Sequence, residues 1–289
     1  MTARKFTYHY HANALGLGGV LRTDRGVIPV PSLASVTLAD SGGEGSGQST
    51  NYNQDGISFS EASCNVLGYE SAPNTFTTSS DVTITNLNLF DRVTAARLQM
   101  SMRSTREVTG GITTESDPDK ATFSMQWTIF GLIIDGVEVI PRFDQELVGW
   151  STYADFDKGY ANRLGHAPMS LTDPGATQLI RTSFVEAFNY TPTPIGPRQG
   201  FVLPVTNFGT IHFGELVVRP GNRRVNLLRI DFDSMLQAGK GGPAQREVIS
   251  NAIRNAPASA ADMGTSTRSP SSGNMTLLSL AGNGVPSWP

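Results

Sequence analysis

His9 and His11 are the best-placed metal-binding pair in this chain. They fall in a run, 6–11, that alternates Phe6, Tyr8 and Tyr10 against Thr7, His9 and His11. On an extended strand, residues i and i+2 project from one face, so both imidazoles can reach one ion. His212 or Glu215 is a candidate third ligand. The same two residues also read as surface histidines on a terminal strand.

A second constellation is Trp-Ser-Thr-Tyr-Ala-Asp-Phe-Asp-Lys-Gly-Tyr at 150–160. Trp150, Tyr153 and Tyr160 beside carboxylates suit a carbohydrate platform, because flat rings stack on sugars while acids bond hydroxyls. Core or interface packing is the alternative use of such rings. A pair of acids for glycoside hydrolysis can be drawn from Asp135, Glu138, Asp144, Glu146, Asp155, Asp157 and Glu215, but no spacing singles out two of them. Asp40, Glu44 and Asp55, like Asp117 and Asp119, sit in polar stretches without the spacing of a calcium loop.

Other chemistries lack their motif. Gly45-Ser46-Gly47 has the serine of a nucleophile elbow in the wrong frame. Gly16-Leu17-Gly18-Gly19 has neither the third glycine nor the strand–helix setting of a dinucleotide fingerprint. Cys64 is the single cysteine, which excludes an internal disulfide and a cysteine-only zinc site. It reads as a small buried filler. These residues imply no cofactor and a non-enzymatic role.

The elements that would position them are strands. Two β-branched and aromatic runs flank Pro220-Gly221-Asn222, where proline presets φ and Gly and Asn tolerate φ > 0. Period-two alternation puts Ile211, Phe213 and Val217 on one face, and Leu228, Ile230 and Phe232 on one face of the return strand. Val82 and Ile84, Leu98 to Met102, and Phe123 to Ile129 alternate likewise. Asp135-Gly136 marks a tight hairpin. The segment 41–56 has the composition of a flexible linker. A helix is favoured over 179–188 behind Asp173-Pro174, although the same residues fit a strand. A second helix follows Gly242-Pro243.

Charged residues are 16%, below the usual ~25%. Gly, Ser, Thr and Asn fill the deficit, which suits sheets whose wet faces carry hydroxyls. The net charge of -3 supplies no field for nucleic acid. Arginines at 92, 97, 103 and 106, and at 219, 223, 224 and 229, read as solvated strand faces and edge protection. No hydrophobic run approaches the ~20 residues of a membrane helix, and no apolar h-region follows Arg4 and Lys5.

Four pieces in order carry a resemblance: the Thr-rich strand and Val-Thr-Ala-Ala-Arg-Leu of 81–103, Phe-Gly-Leu-Ile-Ile-Asp-Gly-Val-Glu-Val near 130–139, Phe-Gly-Thr-Ile-His-Phe-Gly-Glu-Leu-Val-Val at 208–218, and Val-Asn-Leu-Leu-Arg-Ile-Asp-Phe at 225–232. Their order resembles bacterial choice-of-anchor surface proteins. The resemblance implies an extracellular or cell-surface β protein and brings no catalytic residues.

The expectation is an all-β, antiparallel two-sheet sandwich, jelly-roll-like, with one or two short peripheral helices. Residues 1–240 form its body, and 241–289 a helix plus a Ser/Pro/Gly-rich arm. The expected role is a structural protein that assembles with itself as a homo-oligomer, layer or particle. An extracellular carbohydrate-binding module and a pore former using the 75–102 hairpin are the alternatives.

Overall fold

The computed structural model describes residues 7–23, 26–108, 121–162, 180–189, 202–219, 221–232 and 273–287. The chain runs β1 (Thr7–Thr23), β2 (Gly26–Thr37), β3 (Gly43–Gln54), β4 (Ile57–Ala72), β5 (Thr75–Leu89), β6 (Val93–Glu107), β7 (Ala121–Phe130), β8 (Ile133–Ile134), β9 (Val137–Glu138) and β10 (Ile140–Phe143). Two helices follow, α1 (Gln145–Gly149) and α2 (Tyr153–Asn162). Then come β11 (Ile180–Ser183), β12 (Val185–Asn189), β13 (Val202–Val205), β14 (Gly209–Arg219), β15 (Asn222–Phe232) and β16 (Gly273–Ser287).

The strands form two antiparallel seven-stranded sheets and a small β10–β12 ladder. One sheet has the order β11-β14-β15-β16-β1-β2, with β13 also on β14; the other runs β3-β4-β5-β6-β8-β9, with β7 also on β6. In the first sheet β1 packs over β4 and β5, and β16 over β5 and β6. The fold is therefore an all-β sandwich. Val82, Ile84, Leu98, Met100, Phe123, Phe213, Leu228 and Ile230 are buried between the layers, with Trp127 and Ile129 packed at the margin. Among the described residues no helix is long and apolar enough to cross a membrane. The 75–102 hairpin lies at the centre of the second sheet, with Val82 and Leu98 in the core.

One feature runs through both sheets. Buried side chains recur every second residue, as a pleated strand requires. At one place in seven of the long strands a step of three interrupts this. It runs from Ala14 to Leu17 in β1, Phe59 to Ala62 in β4, Ile84 to Leu87 in β5 and Ala95 to Leu98 in β6. The same step joins Phe213 to Leu216 in β14, Val225 to Leu228 in β15 and Leu277 to Leu280 in β16, with Leu227 and Leu278 inside the last two also buried. The register is unchanged across it, with Ser58 opposite Asn88 and then Glu61 opposite Thr85, so paired strands reverse faces together. Every second strand carries one left-handed residue there. These are Asn51 (φ 52°), Asn86 (φ 52°) and Gly131 (φ 63°) in one sheet, and Ala34 (φ 50°), Leu278 (φ 49°) and Gly214 (φ 57°) in the other. A single residue in this region turns the side chains that follow it to the opposite face.

This seam corrects the expected face of Val217. Beyond Gly214 it is Leu216 and Val218 that are buried. Three other expectations change. The linker-like 41–56 contains β3, whose Gly47 lies so close beneath β2 that a Cβ would come 2.6 Å from the Ser35 carbonyl. The favoured helix over 179–188 is instead strands β11 and β12, because Ile180 and Phe184 are buried along an extended ladder; 173–179 and the second expected helix lie outside the described residues. Among the described residues the helices are α1 and α2, in the aromatic stretch 145–162. Finally, Gly273–Ser287, expected within the arm, is a central strand, β16, paired with β15 and β1; 241–272 lies outside the described residues.

Two arginines tie the layers together at their ends. Arg92 donates Nε to Asp135 Oδ1 at 2.6 Å, and Nη1 and Nη2 to the Asn207 and Thr206 carbonyls, each at 2.7 Å. Arg223, 1% exposed, lies between the rings of Phe123 and Phe156 and donates Nη1 to the Trp150 carbonyl at 3.1 Å. Arg223 is an interior joint and Arg92 a half-buried one between the layers.

Candidate functional site

The outer face of the β3–β7 sheet carries two rows of hydrogen-bonding side chains in register, all uncharged but Asp81. Gln48, Ser63, Thr83, Gln99 and Thr128 occupy successive strands of one row, and Ser46, Asn65, Asp81, Ser101 and Gln126 the next. Outward positions of a one-sided sheet need only be wet, and hydroxyls and amides meet that need without charge. Burial raises the Asp81 carboxyl above its ordinary range.

At β6–β7 this face deepens into a groove of about 560 Å³, lined by Gln99, Ser101, Gln126, Trp127, Gln145 and Val148 among others. Its wall is α1. Asp144 caps that helix, accepting the Leu147 N–H at 2.9 Å, as an Asp at this position does. Behind the rim the Trp127 ring packs on Phe143 and Phe184, each with centroids 4.7 Å away. The Phe123 N–H donates to the Ser151 carbonyl at 2.9 Å, away from β6. By antiparallel alternation, the peptide groups of Met125 and Trp127 also point out of the sheet edge, toward the groove.

The residues expected to stack on sugars sit just behind this wall. Tyr153 is buried, and Trp150 is half-buried, edge-on to Phe156 at 5.2 Å. The Trp150 indole lies against Gly159, where a Cβ would come within 2.2 Å of it. Both rings pack the helix onto the sandwich. The side chain of Tyr160 lies outside the described residues. Sequence reasoning singled out these aromatics and not the amides beside them, because isolated glutamines on strands carry no motif.

His9 and His11 do share the outward face of β1, and His9 Nδ1 lies 3.6 Å from Asp40 Oδ2. The expected third ligands are elsewhere. His212 and Glu215 are on β14, with β15 and β16 between them and β1. Among the described residues no group of three or more His, Cys, Asp or Glu is placed to hold a metal ion.

His212 and Glu215 belong instead to an ion-pair network on β14 and β15. Arg229 grips Glu215 through Nε and Nη2, at 2.8 and 2.9 Å, and pairs with Asp231 through Nη1. His212 Nε2 is 3.0 Å from Asp231 Oδ2. Burial alone would raise both carboxyls. The Arg229 and His212 contacts outweigh it, lowering Glu215 below its ordinary value and Asp231 to about 2.

Three more of the candidate acids make structural bonds. Asp135 is held by Arg92, Asp144 caps α1, and Asp155 accepts the Thr152 N–H at 2.9 Å, with hydrogen bonds from Thr152 and Ser151 lowering its pKa. Cys64 is fully buried with its thiol directed at the Ala34 carbonyl, and burial pushes the thiol up to about 12. It is the inert filler that its neighbours suggested.

Residues 8–172 match the family described as Domain of unknown function (DUF8256). The chain belongs to this family. No curated protein matches the chain, and no solved structure does. The DUF8256 match holds the whole β3–β7 sheet, both helices and the neutral groove. The His212–Asp231 network and strands β11 to β16 lie beyond it.

Proposed function

We propose that this DUF8256 protein is a non-enzymatic structural module that pairs with a second copy of itself through strand β3. The observation that carries this reading is the edge. Among the described residues β3 pairs with β4 on one side and with no strand on the other. An open edge is a row of unpaired N–H and C=O groups, a template for another strand.

The chemistry of β3 supports the reading. Gly43–Gln54 contains one charged residue, Glu44, and no proline. The neighbouring edge strand β2 contains Pro29 and Pro31 and a register shift, the usual protections of an edge. Pairing about a two-fold axis at Gly47 sets Ser46 against Gln48 and Glu44 against Thr50, with no like charges opposed. Such an interface is isologous and closes at a dimer. The engagement of Asp135, Asp144, Asp155 and Glu215 in structural bonds supports the non-enzymatic part.

Solution mass by light scattering, from about 1 to 100 μM, tests the proposal. Twice the 30.9 kDa chain mass is expected, falling to the monomer when Ser46→Lys and Gln48→Lys set ammonium groups opposite one another. A wild-type chain that stays monomeric throughout that range refutes it, as does a dimer indifferent to the two lysines.

A further inference from the structure

We propose that the groove between the β6–β7 face and α1 binds a neutral, extended carbohydrate chain. Its volume, about 560 Å³, is that of a small-ligand site. Five of its lining side chains are amides or hydroxyls: Gln99, Ser101, Gln126, Thr128 and Gln145. None of the lining side chains among the described residues is ionised.

That pattern selects among ligands. An anionic chain needs Lys or Arg at its charges, and a nucleic acid needs them at every few phosphates. An apolar ligand needs a dry pocket, whereas this groove has Met125, Trp127 and Val148 set among polar groups. A sugar hydroxyl donates and accepts at once. A carboxamide offers two donors and an acceptor, and a Ser or Thr hydroxyl offers both roles, so the match is group for group. The outward peptide groups of Met125 and Trp127 add one more donor and acceptor line at the edge.

Register gives the ligand its shape. Gln99 stands opposite Thr128, and Ser101 opposite Gln126, so the floor has two polar rows crossing the strands. Each row continues out of the groove onto the open face, through Thr83 and Ser63 in one and Asp81 and Asn65 in the other. The strands are ~4.8 Å apart, so hydrogen-bonding groups recur at that interval. A linear oligosaccharide laid across β7, β6 and β5 meets a new pair at each strand. A compact monosaccharide uses only the groove.

The floor is pre-formed. Gln99, Ser101, Gln126 and Thr128 are fixed by two central ladders, and Gln145 by a capped helix. Little ordering is then needed on binding, which favours weak neutral contacts becoming measurable.

Calorimetry on the full chain tests the assignment, with neutral hexasaccharides of β-linked glucose, N-acetylglucosamine and mannose as probes and a polygalacturonate fragment as the charged control. At least one neutral hexasaccharide is expected to bind, at least tenfold more tightly than its monosaccharide and with little dependence on salt. Gln99→Ala with Gln126→Ala is expected to weaken it tenfold or more. Asn65→Ala, on β4 outside the groove, is expected to weaken the hexasaccharide alone. Circular dichroism and unfolding of each variant report whether it folds. The assignment fails if no neutral glycan binds, if the charged control binds as well as they do, or if the double variant folds and keeps full affinity. It fails too if a neutral extended peptide occupies the groove in preference to every glycan.

Discussion

The guanidinium carbon of Arg223 lies 4.5 Å from the ring centroid of Phe123 and 4.5 Å from that of Phe156. Arg223 stands on β15, Phe123 on β7 and Phe156 on α2, so one cation joins both sheets and the helix behind the groove wall. A desolvated cation over an aromatic face contributes about 2 kcal/mol, and a planar guanidinium can offer a face to each ring. Arg223→Lys, which keeps the charge but not the plane, is expected to cost about 1–2 kcal/mol. Arg223→Ala also leaves a cavity and is expected to cost about 3–4 kcal/mol. Urea unfolding of the two variants checks both, and equal losses would show that only the positive charge matters.

The seam makes a paired prediction. Ala34 holds φ 50°, a region that disfavours any residue with a Cβ, by about 1 kcal/mol. Ala34→Gly is expected to leave stability unchanged or raise it by up to about 1 kcal/mol. Ala62, fully buried in β4 beneath Gly16, has no such strain. Ala62→Gly is expected to cost about 1 kcal/mol or more, through lost packing and added chain freedom. Thermal unfolding of the two variants, identical in chemistry, reads the difference as opposite movements of Tm.

The seam also explains how far the sequence could be read. Alternation identified the buried faces of Val82 and Ile84, of Phe123 to Ile129 and of Leu228 to Phe232, because each run lies on one side of the kink. It misplaced Val217, since Gly214 intervenes and a left-handed residue leaves the apolar pattern looking continuous. Gly-Glu-Gly-Ser-Gly read as a linker because glycine is a poor strand former, yet Gly45 and Gly47 are set by how closely β2 crosses over them. The aromatic stretch 150–160 lies beside the proposed groove, with Tyr153 buried and Trp150 packed edge-on to Phe156. Its amide-lined neighbour was invisible, because Gln99, Gln126 and Gln145 meet only through cross-strand register and the placement of α1.

Cys64 should be silent. Its thiol is buried, directed at the Ala34 carbonyl and pushed up to about 12, so almost no thiolate exists at neutral pH. Treatment of the folded chain with a disulfide reagent at pH 8 is expected to leave it unmodified for hours. Stoichiometric reaction is expected within minutes in denaturant. Rapid labelling of the folded chain would mean that the β4 region opens far more often than its burial implies.

Asp81 and Asp231 should respond to pH with opposite signs. Burial raises the Asp81 carboxyl, so ionising it opposes folding once the pH exceeds its ordinary value. Asp81→Asn is expected to stabilise the protein at pH 7 and to change nothing at pH 3. Asp231 is the reverse case. Its contacts with His212 and Arg229 overcome desolvation and hold it at about 2, below the ordinary 3.8. That contribution is complete above pH 5, falls as the pH drops through about 4, and is gone below about 2. Integrated over the shift it amounts to about 2 kcal/mol, less the part screened by solvent at a side chain 24% exposed. Glu215, lowered by Arg229, adds to the same acid limb. Asp231→Asn is therefore expected to lower stability at pH 7 and to converge with wild type near pH 2. Arg229→Met tests the cause, since it removes the partner and leaves Glu215 and Asp231 with His212 and the Asn226 amide. It is expected to flatten the same limb and to cost more at pH 7 than Asp231→Asn, because two carboxylates lose their cation. Urea unfolding from pH 2 to 7 gives all the curves, and an acid limb that survives both substitutions would place the acid sensitivity outside this network.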